Sequence, residues 1–216
     1  MTREAELRAA ICAAGRRLGS RGLIAATEGN LSVRLDTARL LMTPSGRRKD
    51  ELRPDDLAIV ALDPVTGPAP EGPLPSSDVR IHRAVYAARP DVGAIAHAHI
   101  PAAMALSLVG ETPDPAALPE TAHFIPVLPH VPFARMGSDE LAHAVAAALD
   151  PVLPPLPGAV VLERHGALSV GEPATGDLGA AIEQAVDRME LVDVLCRVWR
   201  DAILLRGGLG RASGVG

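Results

Sequence analysis

The chain has 216 residues, enough for one domain of ordinary to large size that buries around 70% of the surface its unfolded form exposes. Hydrophobic residues make up 48% and charged residues 22%, the composition of a soluble globular protein, and no apolar stretch approaches the roughly 20 residues of a membrane span. A net charge of -5 with 2% aromatic residues excludes the basic, ring-bearing surface that nucleic acids require.

The start, Met1-Thr2-Arg3-Glu4-Ala5-Glu6, carries both signs of charge and lacks the basic lead and apolar stretch of a secretion signal, so a cytoplasmic location is expected. Apolar residues at helical spacing over 3–19 predict a helix that stops near Gly19-Ser20-Arg21-Gly22. Residues 31–35, 39–42 and 57–61 are short alternating or apolar runs between turn residues, the pattern of an antiparallel meander. Residues 63–73, dense in proline and glycine, read as a surface loop. The helical spacing of 77–88, ended by Arg89-Pro90, predicts a helix leading into a strand at 92–99. Pro101 to Ser107 starts another helix, and Ser138-Asp139-Glu140-Leu141 starts a further one with a hydroxyl cap and an acidic first turn.

After a proline loop at 151–158, strands are expected at 159–163 and 167–170. The longest helical pattern then runs over 175–205 and ends before Gly207-Gly208. We expect a single domain over 1–205 and a flexible tail over 206–216. The order of elements predicts an α/β sandwich around a mainly antiparallel sheet. Cys12 and Cys196, far apart and inside helical patterns, read as reduced core thiols.

Chemistry concentrates at histidines. His97 and His99 end an apolar run, and alternation along a strand rising ~3.3 Å per residue puts both on one face. His165-Gly166 follows another apolar run. Three imidazoles suffice for a catalytic zinc that keeps one position open, although a lone buried histidine more often serves as a hydrogen-bonded core residue. Three turns carry glycine and small polar groups: Thr27-Glu28-Gly29-Asn30-Leu31-Ser32, Thr43-Pro44-Ser45-Gly46 and Pro75-Ser76-Ser77-Asp78. Each can offer backbone N–H groups and hydroxyls to an anion such as phosphate, and each taken singly also reads as a capped turn. The only lysine, Lys49, lies in a charged stretch and reads as solvated, which argues against imine catalysis.

Taken in order, Gly29-Asn30-Leu31-Ser32, Thr43-Pro44-Ser45-Gly46, Pro75-Ser76-Ser77-Asp78 with His82, His97-Ala98-His99 and His165-Gly166 resemble the class II aldolase/adducin-like family from about residue 5 to 205. The resemblance implies a three-layer α/β/α sandwich on a central, mainly antiparallel sheet and a homotetramer with active sites between subunits. It implies His97, His99 and His165 as ligands of Zn2+ or another divalent transition metal. Gly29, Asn30, Ser45, Gly46, Ser76 and Ser77 would form a phosphate cradle for a phosphorylated small sugar.

The reaction implied is reversible cleavage of a ketose 1-phosphate to dihydroxyacetone phosphate and a short aldehyde, whose enediolate a divalent cation can stabilise. Two departures matter. Asp78 stands where the resembled aldolases carry Glu as acid/base, as in ribulose-phosphate 4-epimerases, so a pentulose 5-phosphate epimerase or a sugar-acid phosphate decarboxylase is an alternative; a non-catalytic adducin-like binding domain is another. The family's catalytic tyrosine also has no evident counterpart. The sole tyrosine, Tyr86, and His82 read as packed within the fold, or His82 as a support for the metal ligands. Glu120 and His123, on an expected loop at the metal edge, are the candidates for the missing acid. His130 and His143 read as structural or surface residues.

Overall fold

The protein is described by a computed structural model over residues 2–150, 154–173 and 176–212, with side chains up to Arg206. Its frame is one sheet of seven strands in the order β3-β2-β1-β4-β7-β6-β5. The strands are β1 (Asn30–Arg34), β2 (Arg39–Met42), β3 (Ala58–Ala61), β4 (Ala94–Ala98), β5 (His130–Val131), β6 (Ala159–Leu162) and β7 (Gly166–Gly171). All neighbours pair antiparallel except β5 with β6. The helices are α1 (Arg3–Ser20), α2 (Val79–Ala88), α3 (Pro101–Leu108), α4 (Pro119–Phe124), α5 (Asp139–Leu149) and α6 (Leu178–Ala212).

Strand alternation builds two cores, one on each face of the sheet. Leu31 and Val33 of β1 and Ala94, Ala96 and Ala98 of β4 pack under α1, α3 and α6. Ile95 of β4 and Leu168 and Val170 of β7 point the other way and pack with Ile81, Val85 and Tyr86 of α2 and Leu141, Val145 and Leu149 of α5. Fully burying one such Leu, Ile or Val is worth ~1.5–3 kcal/mol, so the two apolar layers carry the stability of the sandwich. The expected three layers and mainly antiparallel sheet are therefore observed.

Local signals set the boundaries. Thr2 caps α1, and the Ser138 hydroxyl accepts from the Leu141 N–H at the start of α5. The main departures from expectation are these. β4 ends at Ala98, so His99 lies just past the strand. The two-residue β5 was not expected. Residues 119–124 form α4 where a loop was expected, because Pro119 fits the first helical turn. Finally, α6 runs through Gly207-Gly208 to Ala212 instead of stopping before them. A helical glycine costs only ~1 kcal/mol relative to Ala, which a 35-residue helix accommodates. Residues 213–216 of the expected tail and 151–153 of the proline loop fall outside the described residues. Cys12 and Cys196 are buried and unpaired, as expected. Among the described residues no helix is long and apolar enough to cross a membrane.

Candidate metal centre and anion cavity

The three histidines meet at one end of the two central strands. His97 stands opposite Asn30 of β1 and Leu168 of β7. His165 comes from the tight turn joining β6 to β7, which enters β7 through Gly166 at φ +115. A Cβ at Gly166 would sit 2.2 Å from the Ala98 carbonyl oxygen and 2.8 Å from His99 Cα, so only glycine lets this turn press on the end of β4. The ring centroids are 5.0 Å (97–99), 4.8 Å (97–165) and 4.9 Å (99–165) apart. One ligand atom from each lies within 4.8 Å of the others, the geometry of a group that could hold a metal ion.

Hydrogen bonding identifies the free atoms. His97 Nδ1 donates to the Ala167 carbonyl at 2.9 Å, which leaves a lone pair on Nε2. Among the described residues, that Nε2, His165 Nε2 and Asp78 Oδ1 are all buried without a hydrogen-bond partner. Leaving a buried acceptor unsatisfied costs ~1–3 kcal/mol each, so three such atoms together call for a cation. Burial, reinforced by His165, pushes the His97 imidazole down to about 3, and burial lowers His165 as well. Both rings are therefore neutral near pH 7, the state a metal ligand requires. His99 Nδ1 lies 3.5 Å from Glu28 Oε1, a carboxylate placed to orient the ring from behind. The residues fit a divalent metal.

Asp78 is the N-cap residue of α2 yet makes no capping hydrogen bond, so helix capping does not account for it. Its Oδ2 instead accepts from Asn30 Nδ2 at 2.8 Å and lies 3.9 Å from His97 Nε2. Burial raises the carboxyl, while the His97 and His82 imidazoles and the Asn30 amide lower it by more, so it stays below the usual carboxylate range.

Beside Asp78 and His99 opens a cavity of about 430 Å³, lined by all six residues of the expected cradle: Gly29, Asn30, Ser45, Gly46, Ser76 and Ser77. The loops are tied together by Ser45 N–H to Leu74 O at 2.9 Å and Ser76 N–H to Thr43 O at 3.2 Å. Gly29, at φ +67, abuts the His97 carbonyl, where a Cβ would come within 2.8 Å. The three glycine- and serine-bearing loops thus border, at Asp78 and His99, the histidine cluster.

The same cavity holds residues that the sequence did not single out as site residues. Lys49 corrects one expectation: it is only 2% exposed, and its Nζ donates to the carbonyls of Thr27 and Arg47, each at 2.7 Å. Burial lowers its ammonium while Asp78 raises it. Its contacts are backbone carbonyls of two loops, which neighbouring charges in the sequence do not reveal. Its Nζ is committed to those two carbonyls, which tie the loops of Thr27 and Arg47 together. Thr27, Glu28 and Met136 also line the cavity. Tyr86 is buried and its hydroxyl lies 2.9 Å from Ser32 Oγ, so it packs within the fold as expected. Glu120 and His123 do not join the cavity; both are exposed on α4, the helix that packs against α6. His130 is partly buried on β5, and His143 is exposed on α5.

Comparison with known proteins supplies the lineage. The chain is 33% identical to a 5-methylthioribulose-1-phosphate/5-deoxyribulose-1-phosphate aldolase of Rhodospirillum rubrum, over 90% of this chain and 80% of that protein. It is 40% identical to a methylthioribulose-1-phosphate dehydratase of Methylococcus capsulatus, over 48% of this chain and about half of that protein's length (50%). Its structure superposes on l-fuculose-1-phosphate aldolase from Thermus thermophilus with a TM-score of 0.80 at 33% identity, covering 94% of this chain and 97% of that one. YgbL from Klebsiella pneumoniae, named as a candidate aldolase/epimerase/decarboxylase, gives 0.77 at 32% identity over 92% and 90% of the two chains. With the family profile matching residues 9–200, the chain belongs to the Class II Aldolase and Adducin N-terminal domain family.

Proposed function

We propose that the protein is a zinc-dependent lyase that reversibly cleaves a small ketose 1-phosphate to dihydroxyacetone phosphate and a short aldehyde. The carrying observation is the convergence of three orphaned buried polar atoms, His97 Nε2, His165 Nε2 and Asp78 Oδ1, next to a glycine- and serine-lined cavity. His97, His99 and His165 would hold the metal, which when bound supplies Lewis-acid stabilisation of the negative charge developing on the substrate. The loops of Gly29, Asn30, Ser45, Gly46, Ser76 and Ser77 bind the phosphate, and that remote contact orients the reacting carbons. Asp78 Oδ1, free of other partners, moves the proton. Intact metal ligands weigh against a non-catalytic binding domain.

The names of the aldolase and dehydratase relatives share a 1-phosphorylated pentulose carrying a 5-deoxy or 5-thio group. We take that class as the substrate, with dehydration as the second reading because the dehydratases match only about half of the chain. Glu120 and His123 lie outside the protomer's own cavity, so a part for them in acid catalysis requires a neighbouring subunit of a homotetramer; mass by light scattering tests the assembly. A cytoplasmic location belongs to the same proposal, and cell fractionation tests it.

Incubating the zinc-loaded protein with 5-deoxyribulose 1-phosphate separates the reactions. Dihydroxyacetone phosphate appearing in a coupled assay, and lost in Asp78→Asn, is the expected result. Loss of water without dihydroxyacetone phosphate establishes the dehydratase instead. Inertness toward this substrate, with ribulose 5-phosphate epimerised, overturns both.

A further inference from the structure

Behind Asp78 lies a file of buried polar side chains that phosphate binding and metal ligation leave unexplained. Asn30 Nδ2 donates to Asp78 Oδ2 at 2.8 Å, and Asn30 Oδ1 is 2.6 Å from His82 Nε2. His82 Nδ1 is 2.6 Å from Ser32 Oγ, which is 2.9 Å from the Tyr86 hydroxyl. All are sealed from solvent: Asn30 is 3% exposed, Ser32 1%, His82 0% and Tyr86 2%. Secondary structure explains the alignment. Asn30 and Ser32 are two apart on one face of β1, and Asp78, His82 and Tyr86 recur every four residues along α2, so a strand face and a helix face mesh.

The direction of every hydrogen in the file follows from its end. A carboxylate carries no hydrogen, so Asn30 must turn its NH2 to Asp78 and its oxygen to His82. His82 must then carry its single proton on Nε2, and Nδ1 must accept from the Ser32 hydroxyl. Ser32 Oγ in turn accepts from Tyr86, whose phenol burial keeps protonated. Flipping the Asn30 amide would set its oxygen against the carboxylate and leave two acceptors facing each other. The file is a one-way donor chain in which each bond polarises the next.

We propose that Asn30, His82, Ser32 and Tyr86 are positioning residues that fix His82 as the Nε2–H tautomer and thereby clamp Asp78 through Oδ2, leaving Oδ1 as its one acceptor for a substrate proton. This rests on the reading of Asp78 as the proton-moving group. It also changes the account of Asn30: its oxygen and one N–H serve the clamp, and a single N–H remains for the phosphate cavity. The histidine thus serves the site from the second row, without touching the substrate.

The test joins a spectroscopic readout to a kinetic one. In 1H–15N correlation spectra of the zinc-loaded, histidine-labelled protein, His82, assigned by comparison with His82→Gln, is expected to carry its proton on Nε2. A proton on Nδ1, or on both nitrogens at pH 7.5, overturns the proposal. Ser32→Ala removes the donor to Nδ1 and is expected to lower kcat about 10- to 100-fold while leaving KM and bound zinc within about twofold, and to release the His82 tautomer. Unchanged kcat, or a rise in KM with kcat preserved, overturns it. Should Ser32→Ala fail to fold, Tyr86→Phe removes only the last hydroxyl and is expected to show a smaller loss confined to kcat; full activity there counts against the chain. If the wild type turns over no sugar phosphate, the functional reading fails separately. The tautomer then decides the clamp alone.

Discussion

Burying neutral imidazoles gives the site its chemistry and also ties the fold to pH. Burial holds the His82 ring down to about 4 and the His97 ring down to about 3, whereas both titrate near 6.5 in an unfolded chain. Above about pH 6.5 each is neutral in both states and has no differential effect. Below it the unfolded chain gains protons that the fold refuses, so stability falls by up to about 1.4 kcal/mol per pH unit for each ring until the folded pKa is reached. Asp78 works in a separate, lower window: its lowered carboxyl contributes stability above the unfolded pKa near 3.9, which is lost only in stronger acid. Urea unfolding of the metal-free protein should therefore show a loss of roughly 3–4 kcal/mol between pH 7 and 5. A flat profile across that interval contradicts the buried neutral state. The candidate ligands His97 and His99 were legible in the sequence because they stand two residues apart at the end of an apolar strand run. The partners of Lys49, Ser32 and Tyr86 were not, because they are set by how a loop or helix packs on β1, which no local pattern encodes.

At the level of elements, the site is a junction between the end of β4 and the start of β7, and Gly166 makes that junction possible. Its φ of +115 and the approach of Ala98 O and His99 Cα leave no room for a side chain. Gly166→Ala should destabilise the fold by about 1–3 kcal/mol through strain and displaced backbone. By shifting His165 and His99, it should also weaken zinc binding at least about tenfold in a calorimetric titration. Gly22→Ala is the control: φ is +70 but nothing lies within 4 Å of the added Cβ, so backbone strain appears without any change in metal affinity. Equal effects of the two substitutions on zinc would refute this account of the junction. The same scale separates what sequence patterns can convey. Helices such as α1 and α5, with their caps, and the β1–β2–β3 meander have enough residues to display a period. β5 has two residues and α4 six, too few to show one, and the end of α6 escaped because glycine weakens a helix without breaking it.

Across the whole molecule, the proposed metal joins segments distant in the sequence. His97 and His99 close the strand that pairs with both β1 and β7, and His165 opens the hairpin that carries β7 back to β6. The unfolded chain cannot gather these three rings without the sheet, so metal binding favours the native state by mass action. At a free zinc concentration a thousand times the dissociation constant, that amounts to about 4 kcal/mol. For a domain of this size each kcal/mol moves the midpoint by about 2–4 °C, so zinc should raise Tm by roughly 8–16 °C, and excess chelator should reverse the rise. His165→Ala, which leaves β4 intact but removes the ligand from the β6–β7 turn, should abolish most of the shift. His143→Ala, exposed on α5, should leave it whole. A zinc-induced shift that survives His165→Ala would mean that the cation binds elsewhere and that the two central strands are not joined through it.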